Sequence, residues 1–397
     1  MSIDRQPPVH RFIIAFLLGL FKATYGLYLR LYYRLRCHNK SVVPQKGPYL
    51  LLANHCNNFD GLFLQYYINR PINFVVTDAM FKKKTLGRLM SFVGYIPKRK
   101  HVADGGAIRQ IIRTAQQNGI IGIFPEGGRN WDGKTGSISP ATFRLAKMLN
   151  IPVVTACIKG SHLSQPRWAE TKRRGIVEID FQIHFADGRI PGIEAAGDTI
   201  KKALAHNEAV WQEERPVPFK GKSLAKGLDR LLFTCPACKR IGTMSSTDDR
   251  LICQTCAASY RLDAYGFLYA VNGSLCSKSI PDISDWQQEL LAERFFHADS
   301  ETVLLADENA SLFCAKAADQ PFTPETQGTL ILTKQSMSIG GRVFETARIQ
   351  GVSVYFKSHL EFRYDGLDYR IGFKEENVSA YKWNCALDAL KKQQQEI

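Results

Sequence analysis

From Pro48 to Phe185 the chain alternates short apolar runs with segments whose apolar residues recur at helical spacing. Tyr49–Ala53, Ile72–Val76, Ile120–Phe124, Ile151–Ile158 and Ile176–Phe185 have strand length, and Asp60–Ile68, Thr85–Val93, Asp104–Gln117 and Pro140–Leu149 between them carry the helical period. Strands that are apolar throughout are strands covered on both faces. The pattern therefore predicts an α/β domain over residues 37–220, a largely parallel sheet with helices on both faces. Ahead of it, Phe12–Leu29 is apolar over about a spanning length, yet Lys22 stands at its centre with Arg11, Arg30, Arg34 and Arg36 around it. Placing Lys22 at a bilayer centre would cost at least ~2.5 kcal/mol. Residues 1–36 are accordingly read as a monotopic membrane-associating segment, with Tyr25, Tyr28, Tyr32 and Tyr33 at the polar boundary and Lys22 reaching out of the apolar layer. A buried first helix of the domain is the alternative that periodicity leaves open.

Beyond Pro218 the pattern changes. A helical segment, Ser284–Phe296, is followed by short alternating runs at Thr329–Thr333, Ser336–Ile339, Val343–Thr346, Gly351–Phe356, Leu360–Tyr364 and Asp368–Phe373. Asp365-Gly366 is a hairpin signal. A closing helix, Glu376–Gln393, places Ala380, Trp383, Leu387 and Leu390 on one face. Residues 275–397 thus read as an antiparallel β module with a C-terminal helix, which resembles a pleckstrin-homology-like module in architecture only. Between the two regions, over residues 228–270, Cys235-Pro-Ala-Cys238 and Cys253-Gln-Thr-Cys256 form two Cys-x2-Cys pairs fourteen residues apart. This spacing resembles a zinc ribbon, in which four thiolates would bind a structural Zn²⁺ and leave no open coordination position for catalysis.

Composition narrows the functional classes. With 397 residues, 45% hydrophobic and 22% charged, the chain is globular protein in two or three domains, not a disordered or collagenous one. The net charge of +15 is held unevenly: residues 1–220 carry 32 Lys and Arg against 15 Asp and Glu, whereas residues 221–397 carry 20 against 22. A basic first half favours an anionic membrane surface or a phosphorylated substrate, and the slightly acidic second half argues against nucleic acid at the paired cysteines. The other six cysteines are scattered without regular spacing, and no cleavable signal pattern precedes them. The expected location is the cytoplasmic face of a membrane, monotopic or peripheral.

Ligands of α/β sheets gather at the carboxyl ends of strands, and three polar groups stand there. In Asn54-His55-Cys56-Asn57-Asn58-Phe59-Asp60, a histidine at a strand end meets an aspartate at the start of a helix. The carboxylate can fix the imidazole tautomer and leave the other nitrogen to take a proton from a hydroxyl. The same spacing also suits a loop histidine followed by a capping aspartate, and position alone leaves both open. Gly94-Tyr-Ile-Pro-Lys98-Arg99-Lys100 is either a solvated basic turn or a phosphate holder. In Phe124-Pro-Glu126-Gly127-Gly128-Arg129-Asn130 the glycines permit close backbone approach and Arg129 can clamp phosphate oxygens, with Glu126 able to hold that arginine or another cation.

Taken in order with IPVVTACIKGS at residues 151–161, these blocks resemble the four-block pattern of the glycerolipid acyltransferase family, over roughly residues 35–215. The resemblance implies that His55 is the general base and Asp60 its orienting partner. It implies further that Arg99, Glu126, Gly127 and Arg129 bind the acceptor, and that Ile151 and Pro152 have acyl-donor or packing roles. The donor would be a fatty acyl thioester, acyl-CoA or acyl carrier protein. The acceptor would be a lysophospholipid, 1-acylglycerol 3-phosphate above all, giving phosphatidic acid. Gly128, Asn130 and Lys98 depart from the family's usual residues, which bears on the acceptor more than on the chemistry. Other lysophospholipids, a lipid alcohol, or a non-catalytic lipid-binding adaptor are the alternatives. Cys56 beside the base is not expected to be a nucleophile, because neighbours on a turn project differently.

Overall fold

A computed structural model describes residues 8–81, 84–99, 104–315, 320–374 and 378–395; residues 1–7 of the N-terminal segment, Lys100 of the basic turn and Glu376 at the start of the closing helix lie outside them. The chain divides into two compact units, one of residues 1–167 with 172–221, the other of residues 168–171 with 222–397.

The first unit opens with helices α1 (Pro8–Ala23) and α2 (Tyr25–Tyr32), separated at Thr24. Strands β1 (Arg36–His38), β2 (Tyr49–Ala53), β3 (Ile72–Thr77), β4 (Ile96–Lys98), β5 (Ile120–Ile123), β6 (Val153–Lys159) and β7 (Glu178–His184) form one sheet in the order β1-β7-β6-β2-β5-β3-β4. Helices α3 (Asp60–Tyr67), α4 (Lys84–Phe92), α5 (Gly105–Gln116), α6 (Pro140–Leu149), α7 (Ser161–Ser164), α8 (Ile193–Leu204) and α9 (Glu208–Glu214) intervene. Strand β2 shows why its sequence, YLLLA, carries no polar position: every residue is buried. Tyr49, Leu51 and Ala53 pack with Leu29, Phe63 and Leu64 of α2 and α3, while Leu50 and Leu52 pack with Ile111 of α5, Phe143 of α6 and Ile200 of α8. Alternate side chains thus feed two cores, and helices cover both faces.

The sheet is mixed. β2 pairs in parallel with β5 and β6, and β3 with β4 and β5, but β7 runs antiparallel to β6 and carries β1 with it. The expectation of a largely parallel sheet holds for the interior and fails at this edge. A parallel return needs a full crossover, whereas residues 160–177 supply only the single turn α7.

In the second unit β8 (Met244–Thr247), β9 (Arg250–Cys253), β10 (Ser259–Leu262) and β11 (Leu268–Asn272) make a four-stranded antiparallel sheet beside the paired cysteines. Helix α10 (Ile280–His297) leads to β12 (Leu305–Ala315), β13 (Thr323–Leu332), β14 (Ser336–Ile339), β15 (Arg342–Glu345), β16 (Gln350–Tyr355), β17 (His359–Tyr364) and β18 (Leu367–Phe373), and then to α11 (Ala380–Gln395). These seven strands form an antiparallel sheet ordered β15-β14-β13-β12-β18-β17-β16. Trp383, Leu387 and Leu390 of α11 pack with Leu312, Leu330 and Ile371 of the sheet. Strand β12 was not anticipated: Asn309 has φ +56 and the register shifts between Asp307 and Ala310, a bulge that breaks the alternation a strand otherwise displays.

Candidate active site

The carboxyl end of β2 delivers Asn54, and Asn54 ties that end to β6: its Nδ2 donates to the Ile158 carbonyl at 2.9 Å and its Oδ1 accepts from the Ile158 amide at 2.7 Å. The chain then turns through residues 55–59, where Asn57 Oδ1 accepts from the Phe59 amide at 3.1 Å. This turn ends at Asp60, the first residue of α3, where a negative charge is favoured by the helix dipole.

Asp60 is wholly buried and every donor around it points at its carboxylate. Oδ2 faces His55 Nδ1 at 2.9 Å and accepts from the amides of Cys56 and Asn57, each at 2.7 Å. Oδ1 accepts from the Ser161 hydroxyl at 2.5 Å. An anion fed by this many donors acts as the acceptor for Nδ1–H, so the lone pair of His55 lies on Nε2. The imidazole, 22% exposed, stacks on Phe124 with ring centres 4.1 Å apart, and Phe124 stacks in turn on Phe74. The ring is held by Phe124 on one face and by Asp60 at its Nδ1 edge.

Glu126 does not hold Arg129. Its Oε1 accepts from the His55 amide at 2.6 Å and its Oε2 from the Gly136 amide at 2.8 Å, so it braces the histidine's backbone. Burial pushes its carboxyl up to about 7, against the pull of those two amides. Gly127 takes φ +72, and a Cβ there would meet nothing within 4 Å, so its requirement is conformational. Arg129 is half-buried. Burial lowers its pKa while the charge of Asp60 raises it, and among the described residues no carboxylate pairs with its guanidinium. Arg167 holds this loop: its Nη1 donates to the Arg129 carbonyl at 2.8 Å and its guanidinium lies 4.5 Å over the Trp131 ring.

Arg99 follows β4 at the same edge of the sheet, three strands from β2, which at about 4.8 Å per strand is about 14 Å along the edge. It is exposed, its amide donates to Asp104 Oδ2 at 3.0 Å, and its Nε lies 3.8 Å from that oxygen. Arg99 and the His55–Asp60 pair therefore share a rim without touching. Ile151 and Pro152 sit at the opposite end: the Pro152 carbonyl accepts from Leu50 at the start of β2. What the fourth block contributes near Asp60 is its end, Ser161. Cys56 is buried, accepts from Asn130 and Asn54, and burial lifts its thiol well above the usual range, reinforced by the charges of Asp60, Glu208 and Glu126. Burial and a thiol kept in its neutral form both disfavour Cys56 as a nucleophile.

A separate cluster lies in the second unit. The Sγ atoms of Cys235, Cys238, Cys253 and Cys256 are all within 4.8 Å of one another and could hold a metal ion. Cys235–Cys256 and Cys238–Cys253 are 3.7 and 3.8 Å apart, too far for disulfides and close to the about 3.8 Å edge of a tetrahedron with metal–sulfur bonds of about 2.3 Å. The Cys238 amide points at Cys235 Sγ and the Thr255 amide at Cys253 Sγ, as donors to a thiolate would.

Residues 34–159 match the family model described as Acyltransferase. That match spans 126 of the 397 residues, all within the first unit, and is a likeness of this domain to acyltransferases. Among relatives, a chloroplastic 1-acyl-sn-glycerol-3-phosphate acyltransferase of Brassica napus is 22% identical over 125 residues, which cover 31% of this chain and 36% of the relative. A probable 1-acyl-sn-glycerol-3-phosphate acyltransferase of Mycoplasma genitalium is 27% identical over 130 residues, covering 31% and 48%. The chain thus spans less than half the length of these curated relatives. The crystal structure of the 1-acyl-sn-glycerophosphate acyltransferase PlsC from Thermotoga maritima superposes with a TM-score of 0.43 at 16% identity, over 51% of this chain and 82% of that one.

Proposed function

We propose that this protein moves a fatty acyl group from a thioester carrier, acyl-CoA or acyl carrier protein, to the free hydroxyl of a lysophospholipid, with 1-acylglycerol 3-phosphate as acceptor and phosphatidic acid as product. The observation that carries the reading is the 2.9 Å contact between His55 Nδ1 and the buried Asp60 carboxylate, which leaves Nε2 as the base. The acceptor oxygen bonds to the thioester carbonyl carbon as its proton passes to Nε2. Collapse of the tetrahedral intermediate breaks the carbon–sulfur bond, and the proton leaves with the thiolate. Asp60 stabilises the imidazolium in between. Arg129, half-buried beside this pair, is the main phosphate contact; Arg99 on the rim assists.

Two further assignments complete the reading. The four cysteines bind one structural Zn²⁺ in a ribbon-like site, supported by four Sγ atoms within 4.8 Å of one another, two of the pairs at 3.7 and 3.8 Å, and by the closed ligand set. The first two helices attach the chain to an anionic membrane surface. Phe12–Tyr32 is long and apolar enough to cross a membrane by length and composition, but it is divided at Thr24, and Lys22 Nζ donates to Asn69 Oδ1 at 2.7 Å. Phe12 and Phe16, 72% and 61% exposed, and Leu20 recur every fourth residue as an apolar stripe facing solvent.

The test is labelled acyl-CoA presented with a panel of lysolipids. Turnover with 1-acylglycerol 3-phosphate is expected to exceed that with neutral lipid alcohols. Arg129→Ala should raise the acceptor KM about 10- to 100-fold, the equivalent of a charge-assisted contact of about 1.5–3 kcal/mol, with little change in donor KM. Arg99→Ala should do less. Equal turnover with a neutral alcohol, and an Arg129→Ala variant with unchanged acceptor KM, would remove the phosphate acceptor from the reading.

A further inference from the structure

The end of β6 contributes one group that touches the proposed proton relay and that no sequence block singled out. Ser161 Oγ donates to Asp60 Oδ1 at 2.5 Å across 101 residues of chain, and both side chains are fully buried. We propose that Ser161 is a positioning residue that sets both the orientation and the charge of Asp60, and through it the basicity of His55. The inference rests on the acyl-transfer reading above.

The turn is built to aim that hydroxyl. Gly160 takes φ +74, where a Cβ would lie 2.3 Å from the Ile176 carbonyl, so only glycine fits. Glu208, buried on α9, accepts from the Gly160 amide at 2.9 Å and the His162 amide at 3.3 Å, bracketing Ser161 on both sides, and His206 Nε2 lies 3.1 Å from the same carboxylate. The Ser161 carbonyl accepts from Ser164 Oγ at 2.7 Å and from Asn57 Nδ2 at 3.3 Å, linking the turn to the loop that carries His55.

The two oxygens of Asp60 have unequal tasks. Oδ2 serves the imidazole and two amides; Oδ1 has the Ser161 hydroxyl. That hydroxyl keeps the carboxylate from turning about its Cβ–Cγ bond, which has a broad two-fold profile, and it draws negative charge toward Oδ1. Removing it leaves more charge on Oδ2, which stabilises the imidazolium more strongly. The base then protonates at higher pH, so the acid-side limb of activity moves up, while the carboxylate's looser orientation lowers turnover. Neither effect alters how donor or acceptor binds.

The experiment compares Ser161→Ala, Ser161→Thr, Ser164→Ala and His55→Ala in the full chain, using labelled acyl-CoA and 1-acylglycerol 3-phosphate, with pH profiles and thermal unfolding for each. Ser164→Ala breaks two hydrogen bonds, one to the Ser161 carbonyl and one from Asn57 Nδ2, and removes no donor to the Asp60 carboxylate. Ser161→Ala is expected to lower kcat about 10-fold, leave both KM values within twofold, and move the acid limb up by about half a pH unit. Ser161→Thr, which keeps the hydroxyl, should hold the limb at its original pH whatever its stability. Ser164→Ala should lower thermal stability without moving the limb. Should Ser161→Ala fail to fold, Ser161→Cys, whose thiol is a much weaker donor, replaces it in the comparison. An unmoved limb in the hydroxyl-less variant, or the same shift in Ser164→Ala, overturns the role of Ser161. Near-normal turnover in His55→Ala would instead overturn the acyl-transfer reading itself.

Discussion

Asp60→Asn is the substitution for which the structure separates charge from shape. Asparagine has the size of aspartate, and one orientation of its amide satisfies the site. The amide oxygen takes the place of Oδ2, accepting from His55 Nδ1 and from the Cys56 and Asn57 amides, and the amide nitrogen faces Ser161 Oγ, which can accept. The imidazole tautomer and the turn are then preserved and only the negative charge is lost. Two unit charges about 4 Å apart interact by about 4 kcal/mol at an effective dielectric constant of about 20. With the proton between half and fully transferred in the transition state, the loss is about 2–4 kcal/mol, or about 30- to 1,000-fold in kcat. Asp60→Ala differs in kind: it strands two buried amides at about 1–3 kcal/mol each and should also lower the melting temperature. The assay is acyl transfer from labelled acyl-CoA at saturating substrates, with thermal unfolding on the same preparations. Asn turnover within threefold of the parent, in a protein of unchanged stability, would refute the claim that the Asp60 charge stabilises an imidazolium.

Other expectations follow from the same structure. Glu126 ionises near 7 in the fold against an ordinary value of 4.5, so between those values the folded state holds a proton that the unfolded chain releases; stability from this group is present at low pH and is lost as pH rises through about 7. Denaturant unfolding from pH 4.5 to 8 should show that decline, and Glu126→Gln should flatten it while weakening activity, because its amide cannot accept from both His55 and Gly136. Cys253→Ser should lose about one equivalent of zinc by elemental analysis and become protease-sensitive within residues 230–270; a parent protein purified under reducing conditions without zinc contradicts the metal assignment. Phe16→Asp should reduce co-flotation with anionic vesicles and leave thermal stability nearly unchanged, whereas the opposite pair of results would make α1 a core helix.

The fold was legible where burial is uniform. Central strands such as Tyr49–Ala53 lie between two helix layers, so their sequence has no polar face and their ends are sharp. Legibility failed where tertiary context decides. The direction of β7 depends on what residues 160–177 do after β6, and its own apolar pattern is the same either way. The three-residue strands β1 and β4 carry too few positions for any period to register, and the bulge at Asn309 hides β12.

The site shows the same division at the level of single groups. His55, Asp60, Glu126 and Arg129 could be picked out because their blocks recur at strand ends in a family order, which is information about chain neighbours. The tasks of Glu126 and Ser161 are set by partners 71 and 101 residues away. A glutamate three residues before an arginine reads as its ion-pair partner. The structure instead gives that carboxylate to two backbone amides, which have no sequence signature. Ser161 closes the fourth block, whose resemblance-implied roles fall on Ile151 and Pro152, yet those two lie at the far end of β6, and five to seven residues of strand rise, at about 3.3 Å each, carry the chain across the sheet before Ser161 reaches Asp60. One signal could have located it. Gly160 ends a buried strand on the same edge that carries His55, and the residue after such a glycine is where an α/β sheet places its polar groups. His55 is held through the Glu126 contact to its amide and through Asp60, which Ser161 and two backbone amides hold in turn, and substitutions at Glu126 and Ser161 test the proposed mechanism as directly as substitution of His55 itself.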